Sequence, residues 1–351
     1  KLTFKNLNYS QLQQSGALLI NQGKNLTITF LVANLVVQGK LTLGAMLAVQ
    51  YIIGQLNSPI EQFIGFMQTA QDAKISLERI NEIHQLNNEE VIKEDELQYI
   101  QALPQDKSIS LQNFSFTYSG AGNEPVLKNI NIAIPEGKIT AIVGASGSGK
   151  TTLLKLLLKF YDSYEGDIKI GNTNLKYISP SFFRKQCGAV MQDGYIFNDS
   201  IAKNIAVGFD NIEYNKLIEA CRIANILPFI ESLPNGFNTK LGTDGVGISQ
   251  GQKQRLLIAR AVYKNPIYLF LDEATNALDA NNEKAIVKNL QVFFEGKTVV
   301  VVAHRLSTVK NADNIIVLEN GVIVEQGTHK TLAQLQGKYY ELVKNQLELG
   351  N

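Results

Sequence analysis

The stretch Gly144-Ala-Ser-Gly-Ser-Gly-Lys-Thr-Thr152 lies between an apolar run over residues 139–143 and the helix-forming segment Leu153-Leu-Lys-Leu-Leu-Leu158. A strand, a glycine loop and a helix therefore meet there, and the pattern G-x-x-x-x-G-K-T in that setting is a P-loop that takes ATP or GTP. Gly144, Gly147 and Gly149 let the backbone wrap a polyphosphate with its N–H groups inward. The helix that follows aims the positive end of its dipole at the same anion. The expected contacts are Gly144, Ser146, Gly147, Ser148, Gly149, Lys150, Thr151 and Thr152. Lys150 reaches the β and γ phosphates and Thr151 the magnesium ion. An ordinary glycine turn ahead of a helix is the plain alternative, and the complete pattern argues against it.

Composition narrows the remaining classes. A chain of 351 residues, 45% hydrophobic, has room for about two domains with a sizeable core. Its 33 basic and 32 acidic residues leave a formal charge of +1, which makes no electrostatic case for RNA or DNA as partner. Cys187 and Cys221 are far apart and lack metal-ligand spacing, so they read as two reduced, partly buried thiols. The first residue is Lys and nothing near it resembles a signal peptide, so the chain reads as a piece of something longer.

Residues 1–85 differ in character from the rest. Residues 25–38 and 41–60 contain no charged side chain, and they flank Gly39-Lys40 as the arms of a helical hairpin would. A bilayer core needs about 20 helical residues, which residues 41–60 supply, so a membrane span is expected there. Gln50, Gln55, Asn57 and Pro59 make that span less apolar than a lone lipid-facing helix, as expected where one face meets other helices or an aqueous path. A buried hairpin in a soluble domain is the alternative. From Glu61 the helical spacing continues while charges accumulate, which predicts extension into water. Residues 86–107 are acidic, polar and punctuated by Pro104, and read as a linker. From Ser108 the pattern becomes α/β: strands are expected over residues 109–118 and 130–134, then strands and helices in alternation to residue 351.

Two further strands end in chemistry. The buried run over residues 267–273 delivers Asp272, expected to hold magnesium through water, and Glu273, placed to orient and deprotonate an attacking water. The core strand over residues 298–303 delivers His304, where a neutral imidazole can meet the γ phosphate. His84 and His329 have no such setting and read as surface residues.

The segment from Leu241 to Gln252, ending Ile248-Ser-Gln-Gly-Gln252, and the following Lys-Gln-Arg-Leu-Leu-Ile-Ala-Arg260 resemble the signature and signature helix of ABC proteins. The resemblance covers residues 108–347. It implies an α/β P-loop NTPase domain of ABC type with an antiparallel β subdomain and a helical subdomain. Tyr118 then matches the aromatic that stacks on adenine, Gln192 the Q-loop amide that reaches magnesium and water, Asp279 in Ala-Leu-Asp the D-loop, and His304 the switch histidine. In this family Ser249, Gln250, Gly251 and Gln252 would cap the ATP of a second copy, so a homodimer, or a pair with a related half-transporter, is implied. Ile248 and Gln250 depart from the usual Leu-Ser-Gly-Gly-Gln, and Asn276 stands where many members carry Ser; these changes are expected to alter rate rather than abolish it.

A hydrophobic helical region ahead of such an ATPase resembles the exporter half-transporters. By that resemblance residues 1–85 hold the last two membrane helices and their cytoplasmic extension, a partial α-helical transmembrane domain, and four helices are missing. The wording around residues 58–82 looks most like bacterial peptide and bacteriocin exporters, some of which carry an amino-terminal cysteine peptidase. The implied partners are the lipid bilayer and an exported peptide, with the ATPase on the cytoplasmic side of the bacterial inner membrane. Lipid or drug exporters of the same architecture remain the alternative, and a soluble ABC ATPase a more distant one.

Overall fold

The computed structural model describes residues 2–84, 89, 99–120, 122–242, 245, 247–274, 280–303 and 309–349. The chain divides into two compact units, residues 1–88 and 89–351.

The first unit is a helical hairpin. Helix α1 (Leu2–Val37) has 36 residues and α2 (Leu43–His84) has 42. The turn between them is built by Gly39 at φ 76, which lets the Gly39 and Lys40 N–H groups return to the Val36 and Leu35 carbonyls. Thr42 then caps α2 by accepting the Ala45 N–H at 3.2 Å. Lys24 Nζ donates to Asn57 Oδ1 at 2.8 Å and ties the two helices together. Side chains such as Leu26, Phe30, Tyr51, Phe63 and Phe66 remain exposed.

One finding bears on the membrane span expected in this unit. Among the described residues no helix is long and apolar enough to cross a membrane, the one holding residues 43–60 included. The physical reason lies in the segment itself: Gln50, Gln55, Asn57 and Ser58 dilute its apolar residues. The helix also starts at Leu43 and runs unbroken through Pro59 into the charged stretch that ends at His84.

The second unit holds two sheets. The antiparallel one takes the order β2-β1-β4-β5, from β1 (Ile109–Phe116), β2 (Leu127–Ile134), β4 (Glu165–Ile170) and β5 (Thr173–Asn174). The other contains β3 (Ile139–Val143), β6 (Cys187–Val190), β7 (Tyr268–Asp272), β8 (Thr298–Val302), β9 (Asn314–Glu319) and β10 (Val322–Gly327), in the order β10-β9-β3-β8-β7-β6. Its strands are parallel except for the antiparallel edge β10. The near-continuous apolar runs of β3, β7 and β8 are what a sheet covered on both faces requires.

Alternation along those strands sorts the core into two layers. Ile142, Phe270, Val300, Val302 and Ile316 face the layer built with helix α3 (Lys150–Leu157) and the antiparallel sheet. Ala141, Val143, Leu269, Leu271, Val299 and Val301 face the opposite layer. That layer includes residues of α5 (Ile201–Ile205), α6 (Tyr214–Ile223), α7 (Leu227–Glu231), α8 (Gln250–Tyr263) and α9 (Ala280–Phe293). A seven-residue helix α4 (Pro180–Gln186) leads into β6.

Several expected boundaries move. The first strand stops at Phe116 instead of reaching Tyr118, because Val126 N–H closes the pairing on the Phe116 carbonyl. The second begins earlier than expected, at Leu127. His329 is not a plain surface residue: its Nδ1 lies 2.7 Å from the hydroxyl of buried Tyr339. Both cysteines are free and fully buried, and burial pushes the Cys221 thiol up to about 12 and the Cys187 thiol upward as well.

Candidate nucleotide site

The register of the parallel sheet brings the expected residues to one level. Val302 of β8 pairs with Ile142 of β3 on one side and with Asp272 of β7 on the other, so three strands end together. The P-loop leaves β3, and Asp272 and Glu273 close β7. Beyond β7 lies β6, and Gln192 follows its end. This is the carboxyl edge of a parallel sheet, where open α/β folds hold their ligands.

The glycine loop is fixed by close approach. A Cβ at Gly144 would lie 2.1 Å from the Leu318 carbonyl oxygen, and one at Gly149 would lie 2.8 Å from Leu127 Cδ2. Gly149 also adopts φ 104 at the N-cap of α3, where no side chain caps the helix. The first N–H groups of α3 are thereby left for an anion. Lys150 is buried, and its ammonium donates to the Gly144 and Ala145 carbonyls at 3.0 and 2.8 Å. Burial pulls its pKa below the usual lysine range, while the charges of Glu273 and Asp272 act in the opposite direction. The Ser148 hydroxyl is buried and meets no hydrogen-bond partner among the described residues. An orphaned buried hydroxyl, an uncapped helix start and a buried cation in one loop fit a polyphosphate.

Tyr118 lies just past the end of β1, half-buried. Its hydroxyl is 2.9 Å from the Thr152 hydroxyl, and its ring meets Phe116 and Tyr161 edge-on at 4.9 and 5.5 Å between centroids. The adenine platform expected from the sequence is thus linked to the end of the P-loop. Tyr161 was not among the expected residues, and nothing in its own neighbourhood of sequence distinguishes it.

Glu273 has a φ of 52, the left-handed region that a residue with a β-carbon rarely occupies. Such a conformation costs on the order of 1–3 kcal/mol and persists only where surroundings impose it. Bonds on either side of the residue hold it there. The Glu273 N–H donates to the Val302 carbonyl at 3.1 Å, and its own carbonyl accepts from Gln254 Nε2 at 2.8 Å. Gln254 belongs to α8, and sequence alone offered no signal for this contact. A pocket of about 320 Å³ opens between these elements, lined in part by Gln192, Gln250, Lys253, Gln254 and Glu273.

The signature start is ordered differently. Ser249 is the N-cap of α8: its hydroxyl accepts the Gln252 N–H at 3.2 Å, and Gln252 Oε1 accepts the Ser249 N–H at 2.8 Å. That reciprocal pair is a capping box. Ser249 and Gln250 are exposed, and Gly251 and Gln252 are partly so. The structure therefore places Ser249 to Gln252 on the surface and gathers Gly144 to Thr152, Tyr118, Asp272 and Glu273 around the loop. His304, Asp279 and Asn276 lie outside the described residues.

Residues 127–276 match the family described as ABC transporter. Those residues form an ABC transporter domain. Domains of this family are ATPases, and the relatives that follow are named as ATP-binding proteins. The chain is 39% identical over 327 residues to the alpha-hemolysin translocation ATP-binding protein HlyB of Escherichia coli O157:H7, covering 93% of this chain and 46% of that relative. It is 40% identical over 337 residues to the leukotoxin translocation ATP-binding protein LktB of Mannheimia haemolytica, covering 96% of this chain and 46% of that relative. Among solved structures, a bacterial Atm1-family ABC exporter with ATP bound aligns with a TM-score of 0.70 at 33% identity, over 92% of this chain and 57% of that one. The chain thus spans about half the length of the curated relatives it matches.

Proposed function

We propose that the ABC domain works as one half of an ATP-sandwich dimer that drives export of a peptide across the bacterial inner membrane, with the ATPase on the cytoplasmic side. Residues 1–85 then form part of an exporter's transmembrane domain, residues 86–107 a linker, and residues 108–351 the ATPase. The observation that carries the catalytic part is the common level of β3, β7 and β8, which brings Lys150 under the influence of Asp272 and Glu273. The export part is supported by likeness to translocation proteins that runs through the helical unit as well as the ATPase. The exposed apolar side chains of α1 and α2 suit burial against further helices or lipid.

In this reading Tyr118 stacks on adenine, the N–H groups of residues 144–152 and Lys150 hold the phosphates, and His304 contacts the γ phosphate. Thr151, Asp272 and Gln192 present hydroxyl, carboxylate and amide oxygens, a hard donor set that fits magnesium. Magnesium, when bound, neutralises charge that develops on the phosphates. Glu273 accepts a proton from water as the water oxygen bonds to the γ phosphorus. The bond from that phosphorus to the β–γ bridging oxygen breaks, releasing inorganic phosphate and ADP. Ser249, Gln250, Gly251 and Gln252 of the partner subunit, with its Asp279, complete the site. Separation of the two ATPase units after hydrolysis then moves the membrane helices.

The test is turnover of the 351-residue chain in detergent beside its Glu273→Gln variant. Wild type should hydrolyse ATP at least about 100-fold faster. The variant should accumulate an ATP-bound dimer, seen by light scattering. Wild-type turnover equal to that of the variant overturns the reading.

A further inference from the structure

Helix α8 connects two places that the proposed dimer assigns to different nucleotides. Its start, Ser249 to Gln252, would face the ATP held by the partner. One turn further along, Gln254 donates to the backbone carbonyl of Glu273, which serves the ATP held by this chain. At 1.5 Å per residue the cap and Gln254 are only about 7.5 Å apart along the axis. The far end of the helix is also anchored: Arg260, the basic residue of its last turn, donates to the Asn204 and Tyr195 carbonyls at 2.7 and 2.9 Å. One continuous 14-residue helix thus joins the signature start to this anchor.

The Glu273 backbone is the element such a movement can bias. Its left-handed φ of 52 rests on the Val302 carbonyl from one side and on Gln254 from the other. The Val302 bond lies within the sheet, whereas the Gln254 bond comes from the helix that carries the signature. Loss of the second leaves the carboxylate attached to a conformation that its own sterics disfavour.

Resting on the dimeric ATPase reading above, we infer that Gln254 is a positioning residue that couples the two composite sites: a nucleotide gripped by the start of α8 steadies Glu273 of the other site. Gln254 lines the pocket beside Gln192 and Glu273 and bonds the Glu273 backbone. It acts through the Glu273 carbonyl, and the required chemistry is an N–H donor at the end of a long side chain.

The experiment compares the full chain in detergent with Gln254→Glu, which keeps the shape and removes the donor, and with Gln254→Lys, which keeps a donor. If Gln254→Glu does not fold, Gln254→Met replaces it. Fluorescent ATP binding to Glu273→Gln, with and without the Gln254 change, reports whether the pocket itself survives. The donor-less variant should lose about 10- to 100-fold in kcat with KM within about 3-fold. Its Hill coefficient for ATP should fall from near 2 to near 1. Gln254→Lys should restore most of both. Wild-type turnover no faster than Glu273→Gln overturns the ATPase reading and this inference with it. An active wild type joined by a donor-less variant of unchanged kcat and cooperativity overturns the inference alone. Equal losses in the donor-less and Lys variants also overturn it, since they indicate packing rather than a hydrogen bond.

Discussion

Two helix starts in the ATPase unit are built in opposite ways. Helix α3 begins at Gly149, in a left-handed conformation and without any side-chain cap, so its first N–H groups stay available. Helix α8 begins at Ser249, whose hydroxyl and backbone are both engaged with Gln252. The first is open to an anion in advance, since no side chain caps its start. The second satisfies its own donors, so engaging a second nucleotide competes with a cap worth about 1 kcal/mol. The difference suits a protein whose single copy binds ATP readily and whose signature commits only when two copies meet.

The comparison can be broken at its strongest point first. Lys150→Ala should weaken ATP binding by about 100-fold, measured by titration with a fluorescent analogue, because a buried charge-assisted contact is lost. A change below about 3-fold would remove the basis for calling α3 the primary site. Gly149→Ala should come next. A left-handed backbone and a Cβ at 2.8 Å from Leu127 Cδ2 predict a Tm lower by roughly 2–8 °C, together with weaker ATP binding.

The signature end is sharpened by a pair of variants. Ser249→Ala removes the cap and should lower Tm by about 2–4 °C without altering ATP binding to a single copy. Ser249→Asp keeps a capping acceptor but places a negative charge toward the phosphates that the proposed dimer would bring to it. It should leave Tm within about 1 °C and cut turnover by 10-fold or more. If Ser249→Asp turned over normally, the start of α8 would have no role at a phosphate. The smallest effect is expected for Tyr118→Phe, which loses only the 2.9 Å contact to Thr152 and keeps the stacking face. Its ATP affinity should change by less than about 3-fold.

Much of the site was legible because its determinants are short-range. The glycines, lysine and threonine of residues 144–152 fix loop and helix start within nine residues, and the apolar runs ending at Asp272 and near Ala303 announced buried strands. Strand ends were less legible. The pairing that stops β1 at Phe116 depends on where Val126 returns, ten residues later. The helical unit was less legible in another way: absence of charge over residues 41–60 suggested a span, while the side-chain amides of Gln50, Gln55 and Asn57 lower apolarity without adding charge.

The sequence by itself determined that a polyphosphate loop precedes α3, that two carboxylates close an apolar strand, and that a helix follows the signature. Each depends on sterics and hydrogen bonding among neighbours in the chain. Only the tertiary structure decided that Val302 sets Ile142 and Asp272 at one level, that Thr152 meets Tyr118, and that Gln254 holds Glu273 in a left-handed conformation. Those contacts join residues separated by up to 160 positions, and strand register and helix packing choose them, neither of which any local stretch encodes.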